Sequence, residues 1–197
     1  MNNSYNIIVV DVETTGVSKA DKVIEIGAIR YNLIGKYINH FEKLANPGCE
    51  IPNKITEITG ITTQMIENEK TSKEVLLEFW EWIGPLNIFF VAHNAKFDMR
   101  MIFGNNLINK DFSRFHVLDT LEWSRKYKLT KNNKLTTLKE YLNIQDDNNS
   151  SHRALFDSKV CSCVFSYFMK NFIKPKDTED VKHILLERSK ELKYYIK

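Results

Sequence analysis

The chain has 197 residues, 43% of them hydrophobic, with a formal net charge of +3 at neutral pH and a pI near 8.6. That is enough apolar material for one well-buried domain with a short appendage, and too mild a charge for a histone-like coat, though compatible with nucleic acid held at one local patch. Its cysteines, Cys49, Cys161 and Cys163, are odd in number and lack Cys-x-x-Cys spacing, which argues against a disulfide framework or a zinc centre and for a reducing compartment.

The first clear element is Ile7-Ile8-Val9-Val10-Asp11-Val12-Glu13-Thr14-Thr15-Gly16, a β-branched apolar strand that ends in two carboxylates. Lys22 to Leu33 reads as a second strand, Ile34-Gly35-Lys36 as a tight connection, and Tyr37 to Leu44 as a third strand. Short links make these three an antiparallel meander. Asn46-Pro47-Gly48 and Ile51-Pro52-Asn53 mark loops, and Ile55 to Ile66 reads as short helical turns around Gly60.

Thr71 with Glu74 three residues on forms a capping-box signature for a helix to about Ile83, with Val75, Leu76, Phe79, Trp80 and Ile83 on its apolar stripe. Gly84-Pro85 ends it. Asn87 to Ala92 is a continuous apolar run, hence a buried strand. His93-Asn94-Ala95-Lys96-Phe97-Asp98 then opens a helix to about Leu107. Phe115 to Leu118 reads as a strand, Leu121–Tyr127 and Leu135–Leu142 as helices, Asp146 to Ser150 as a polar turn, and Ser151 to Phe172 as a long helix.

Lys174-Pro175-Lys176 reads as a linker. Asp177 to Lys197 comes next with Val181, Ile184, Leu185, Leu192 and Tyr195 on one helical face, which packs on its own domain or docks a partner. The division expected is 1–173 for the main domain and 174–197 for a C-terminal helical extension. The order of elements is that of an α/β chain with a mixed sheet. The N-terminus has no basic segment and no apolar run reaches membrane-spanning length, so the expectation is a cytoplasmic protein without a membrane partner.

Residues i and i+2 of a strand share a face, so Asp11 and Glu13 project together. Like charges side by side call for a neutralising partner, and hard divalent cations take carboxylate oxygens. Asp98 falls on the first turn of the helix after the buried strand. Asp157 falls near the start of the late helix, with His152 five residues earlier. Strand ends and helix starts are common site positions, so four carboxylates could converge on one crevice, about right for two cations with positions open for water and substrate.

Taken singly, each residue has a plainer reading. Asp98 and Asp157 could simply favour a helix dipole, His152 could be solvated, and His93 beside Asn94 reads better as a loop-holding residue than as a ligand. Glu25 and Asp119 lie near strands but complete no spacing pattern. Asp146-Asp147 reads as a solvated turn.

Three stretches together carry a resemblance: Asp11-Val-Glu-Thr-Thr-Gly16, His93-Asn-Ala-Lys-Phe-Asp98 and His152-Arg-Ala-Leu-Phe-Asp157. In order and spacing, over roughly residues 6 to 170, they are similar to the three motifs of the DEDDh 3′→5′ exonuclease superfamily. The nearest branch is that of the proofreading exonucleases, the epsilon-type subunit of bacterial replicative polymerases and the exonuclease segment of polymerase C.

The resemblance implies a ribonuclease-H-like fold, a five-stranded mixed sheet (antiparallel meander plus two parallel strands) flanked by helices. It implies Asp11, Glu13, Asp98 and Asp157 as metal-binding acids and His152 as general base. It also implies removal of nucleotides from 3′ ends. One departure stands out: epsilon-type subunits carry a histidine in the segment lining the terminal nucleotide, where Ile58-Thr59-Gly60-Ile61 here supplies threonine. That implies altered contact with the end nucleotide and unaltered chemistry. The C-terminal segment does not match a polymerase-tethering tail.

An all-carboxylate site suits Mg²⁺ or Mn²⁺, two ions, rather than zinc. A histidine titrating near pH ~6.5 can take the proton from an attacking water. Thr14, Thr15, Gly16, Thr59 and Asn94 are candidates to meet the terminal nucleotide, Thr14-Thr15-Gly16 through backbone amides and hydroxyls left free beside the acids. Ile58 and Phe97 are candidates to pack against bases, Phe97 equally a core residue. Lys96 and Arg153 could touch phosphates or be solvated.

The expected function is hydrolysis of phosphodiester bonds at 3′ ends of DNA, releasing nucleoside 5′-monophosphates, in proofreading or repair. Nucleic acid with a free 3′ end is the partner, DNA favoured over RNA, and a DNA polymerase is a further candidate. The alternatives are a 3′→5′ exoribonuclease of the same superfamily and, from another class, a catalytically silent module that binds nucleic acid or a polymerase.

Overall fold

The computed structural model describes residues 4–104, 112–145 and 152–196. Its centre is a six-stranded sheet, built from β1 (Tyr5–Thr14), β2 (Val23–Asn32), β3 (Tyr37–Leu44), β4 (Asn87–Ala92), β5 (Phe115–Asp119) and β6 (Lys190–Glu191), in the order β3-β2-β1-β4-β5-β6. β1, β2 and β3 form the antiparallel meander. β4 lies parallel to β1 and β5 parallel to β4, each reached by a helical crossover.

The sixth strand corrects the expected count of five. The chain after α8 (Thr178–Arg188) does not stay helical. It turns back and pairs Lys190 and Glu191 antiparallel to Val117 and His116, giving edge strand β5 a short charged neighbour. A 3₁₀ turn, Leu192–Tyr194, comes after it.

The alternation of β1 sorts the core into two layers. Ile8, Val10 and Val12 face one side, with α3 (Ser72–Ile83) and α4 (Ala95–Phe103) packed over them through Val75, Phe79, Met99 and Ile102. Ile7 and Val9 face the other, under α5 (Thr120–Tyr127), α7 (Ala154–Phe168) and α8, which contribute Trp123, Cys161, Val164, Phe168 and Leu185. Asp11 and Glu13 continue the Ile7–Val9 row, so they face α7. Leu192 and Tyr195 return to the first layer, so the C-terminal segment touches both.

Boundaries reflect local chemistry. Thr71 accepts from the Glu74 amide while Glu74 accepts from the Thr71 amide at 2.8 Å, the full capping box. α1 (Asn53–Thr59) stops at Gly60, whose φ of 72° is the left-handed conformation a glycine adopts without strain, and α2 (Thr63–Ile66) comes next. α6 spans Leu135–Tyr141. α7 starts at Ala154 and passes into a π-helical turn at Met169–Ile173. The polar turn expected at Asp146–Ser150 and the helix end expected near Leu107 lie outside the described residues.

Candidate active site

The carboxyl ends of β1 and β4 and the first turns of α4 and α7 meet at a cleft of about 300 Å³. Asp11, Glu13, Phe97, Asp98, His152 and Asp157 line it, joined by His93 and by Lys134, Leu135 and Thr136 from the start of α6. One oxygen each of Asp11, Glu13 and Asp157 lies within 4.8 Å of the others. Asp98 is buried in the first turn of α4, next to this group. Segments separated by up to 146 positions in sequence thus bring their acids to one place.

Their electrostatics are unfavourable without a cation. Burial, then the charges of Asp98, Glu13 and Asp157, push the Asp11 carboxyl well above the usual carboxylate range. Burial and then Asp157 push Glu13 up to about 8, with Arg153 pulling the other way. Burial, with the charge of Asp119 adding to it, raises Asp98 to about 8, although backbone amides of Asp98 itself and of Val12 pull the other way. Crowded all-oxygen donors that resist ionisation alone are what a hard divalent cation relieves, so this donor set fits such an ion.

The remaining expected residues distribute unevenly. Phe97 is half-buried at the cleft wall with the Arg100 guanidinium 5.6 Å from its ring centre. Asn94 holds a left-handed φ of 73° before α4, and its amide donates to Asp119. Thr14, Thr15, Gly16, Ile58, Thr59 and Asn94 are not among the residues lining the cleft. Ile58 is exposed, whereas Thr59 is buried, its hydroxyl donating to the Ile55 carbonyl and accepting from the Ile61 amide.

The free hydroxyls expected on Thr14 and Thr15 are a correction. Thr14 Oγ1 donates to the Gly16 carbonyl, and Thr15 Oγ1 donates to Asp21 and accepts from the Lys22 amide. Asp21 closes this turn on itself, because one carboxylate also takes the Ser18 amide. Arg153 corrects the solvated alternative, because its guanidinium is tied to a buried carboxylate. It forks onto Glu25, Nε at 3.0 and 3.1 Å and Nη2 at 2.5 Å, and Glu25 holds its guanidinium above the ordinary value.

Sequence reading missed two braces. Glu25 is fully buried and also accepts from the Ala154 amide at 2.8 Å, at the very start of α7. Asp119 accepts from the Asn94 and Ala95 amides, at 3.1 Å each, and from Leu121 at 2.8 Å, so it joins the start of α4 to the start of α5. Their signal was present only as acids at strand positions. His93 does hold loops: its ring donates from Nε2 to the Asn133 carbonyl at 2.9 Å, and its Nδ1 lies 2.9 Å from Thr120 Oγ1, whose hydroxyl also reaches the Ala92 carbonyl, while burial lowers the imidazole pKa. The bond to Asn133 places Lys134, a cation at the cleft unnoticed in the sequence.

The exonuclease family model (RNase_T) matches residues 8–165. The DNA polymerase III PolC-type protein of Clostridium perfringens is 37% identical over 177 residues, which are 89% of this chain and 12% of that protein. The 3′-5′ exonuclease DinG of Bacillus subtilis is 36% identical over 167 residues, 83% of this chain and 17% of that protein. The chain therefore spans only a small part of the length of these relatives.

Among solved structures, Exonuclease X in complex with 5′-overhanging duplex DNA superposes with a TM-score of 0.67 at 20% identity, over 92% of this chain and 99% of that one. Exonuclease I superposes with a TM-score of 0.76 at 16% identity, over 93% of this chain and 44% of that one. These two likenesses speak for the fold alone. With its motifs, its sheet order and a family model spanning most of its length, the chain belongs to the RNase_T exonuclease family.

Proposed function

We propose that the chain is a metal-dependent 3′→5′ exonuclease that hydrolyses the terminal phosphodiester bond of DNA and releases nucleoside 5′-monophosphates. The observation that carries this reading is the convergence of Asp11, Glu13, Asp98, Asp157 and His152 on one cleft. The four carboxylates would hold two divalent cations, Mg²⁺ or Mn²⁺. When bound, such cations supply charge relief on the phosphate and make a water acidic enough to attack.

The chain's own groups do the rest. His152, exposed at the cleft, takes the proton from the attacking water. Phe97 offers an aromatic face to a terminal base, and Ile58 an apolar one further out. Backbone of Thr14-Thr15-Gly16 and the side chain of Asn94 flank the 3′ end, with Thr59 bonding the backbone of Ile55 and Ile61 on either side of Ile58. Lys134 meets a phosphate at the rim.

Residues 1–173 form the nuclease unit in this reading, and 174–197 a segment that braces it. Similarity to the PolC-type and DinG proteins supports a setting in DNA replication or repair, with a polymerase as one partner. Cytoplasmic placement without a membrane partner belongs to the same reading. Among the described residues no helix is long and apolar enough to cross a membrane.

The test is incubation with labelled single-stranded DNA and RNA, with Mg²⁺ or with chelator. Mononucleotides from DNA, dependent on the cation, are expected. Mononucleotides from RNA alone would move the reading to an exoribonuclease, and none from either would leave a binding module. His152→Ala should lower turnover roughly 10²–10⁴-fold with Mn²⁺ binding retained, the range for general-base catalysis. Unchanged turnover would remove His152 from the chemistry.

A further inference from the structure

His152 is the one proposed catalytic group that stands on no helix or strand. Its φ is 64°, a left-handed conformation uncommon outside glycine, though histidine enters it more readily than most residues. The two residues after it constrain the segment. Arg153 and Ala154 direct two guanidinium nitrogens and one backbone amide onto the single carboxylate of Glu25. Glu25 is fully buried in β2, directly across from Glu13 in the β1 ladder.

Two residues on, Gly27 pairs with Asp11 and lies under α7 so closely that a Cβ there would come 2.0 Å from the Leu155 amide nitrogen. Ser158 also donates to the Gly27 carbonyl at 2.7 Å. Glu25 and Gly27 share one face of β2. One grips the chain before α7 and the other admits its first turn. The row opposite them on β1 is Glu13 and Asp11, so the docking point of the His152 segment is registered to the metal-binding acids through a single strand ladder.

We propose that Glu25, through its bonds to Arg153 and the Ala154 amide, is the positioning residue that fixes the His152 imidazole over the carboxylate cluster. The inference rests on the reading of His152 as general base. A buried carboxylate satisfied by three donors from consecutive residues defines one backbone path, where a solvated residue before a helix would sample several. Gln at position 25 keeps an acceptor for the Ala154 amide but loses the charge that holds the guanidinium fork. It is therefore the variant that loosens the segment with least damage to the fold.

The experiment is a double-mutant cycle with wild type, Glu25→Gln, His152→Ala and the double variant, each assayed for mononucleotide release with Mg²⁺ and for Mn²⁺ affinity by calorimetry. Glu25→Gln should lower kcat ~10–100-fold, as loss of an orienting partner does, with KM and Mn²⁺ affinity unchanged. In the His152→Ala background the same change should cost less than about 3-fold, because nothing remains to be positioned. Equal losses in both backgrounds, or a loss traced to weaker Mn²⁺ binding, would overturn the proposal.

A second readout does not depend on turnover. In the metal-free protein the ring C–H signals of His152, assigned by their absence in His152→Ala, should shift or broaden in Glu25→Gln while those of His93 stay in place. Unmoved His152 signals would overturn the proposal even if activity fell. If Glu25→Gln shows no cooperative melting, Arg153→Lys takes its place in the same cycle, keeping the charge and removing the fork. A fully active His152→Ala would sink the general-base reading, whereas shifted ring signals would still show that Glu25 sets the imidazole.

Discussion

Two sets of acidic side chains lie around one cleft, Glu25, Asp119 and Asp98 buried and Asp11 and Glu13 partly so, and they are in opposite states. Glu25 and Asp119 are saturated with donors, Glu25 by a guanidinium and an amide, Asp119 by three amides. Asp11 and Glu13 are pressed against the other acids of the cleft so that burial and then repulsion drive their pKa values up, and burial with the charge of Asp119 raises Asp98. What a buried carboxylate does is decided by the donors that reach it. The saturated pair brace the two helix starts that carry Asp98 and Asp157. The strained set holds the capacity for a cation.

That contrast predicts opposite consequences for removing a charge. Asp11→Asn should abolish detectable mononucleotide release, a loss of at least ~10³-fold, since several kcal/mol of charge stabilisation go with it. The same variant, free of metal, should melt higher than wild type, because a repelling charge is gone. Calorimetry in chelator checks the second half, and a lower melting temperature would contradict the strain assigned to the cluster.

Asp119→Ala should do the reverse. It removes an N-cap and leaves amides at two helix starts without acceptors, a cost of about 2–4 kcal/mol. Melting should fall by roughly 5–15 °C for a chain of this size, with Mn²⁺ still bound at temperatures where the fold survives. A melt within a degree of wild type would mean that water replaces the brace.

The smallest effect is in pH dependence. Glu13 is raised to about 8 in the fold from an ordinary value of 4.5 when unfolded. Between those values the folded protein binds the extra proton, so this contribution to stability is full below about pH 4.5 and fades as pH rises through 8. Wild type and Glu13→Gln should therefore melt together near pH 5 in chelator, and the variant should melt higher near pH 8. Adding Mg²⁺ at pH 8 should reverse that order. Parallel curves at all pH values would show that the raised value is not expressed in solution.

Much of this was legible in the sequence because it depends on local pattern. Strand alternation in β1 to β3, the Thr71–Glu74 capping box, and acids placed after β1, after β4 and at the start of α7 all come from residues a few positions apart. The braces were not legible, because Glu25 is recognisable only with its donors, 128 and 129 positions away. The same holds for Thr15, whose hydroxyl is taken up by Asp21 and Lys22 returning beside it, while the Thr14 hydroxyl is taken up locally by the Gly16 carbonyl. β6 escaped for another reason: two exposed charged residues carry no alternation, and only the unpaired edge of β5 makes a strand of them.

The last twenty or so residues are riveted through the sheet margin rather than tied on behind it. Val181 and Leu185 are seated in one hydrophobic layer, Leu192 and Tyr195 in the other, with the two-residue strand crossing between. Peeling this stretch away would wet both layers at once and strip an edge. A companion protein that grips the carboxyl-terminal end of this chain would therefore be pulling on the frame that holds the cleft in shape, not on a loose handle.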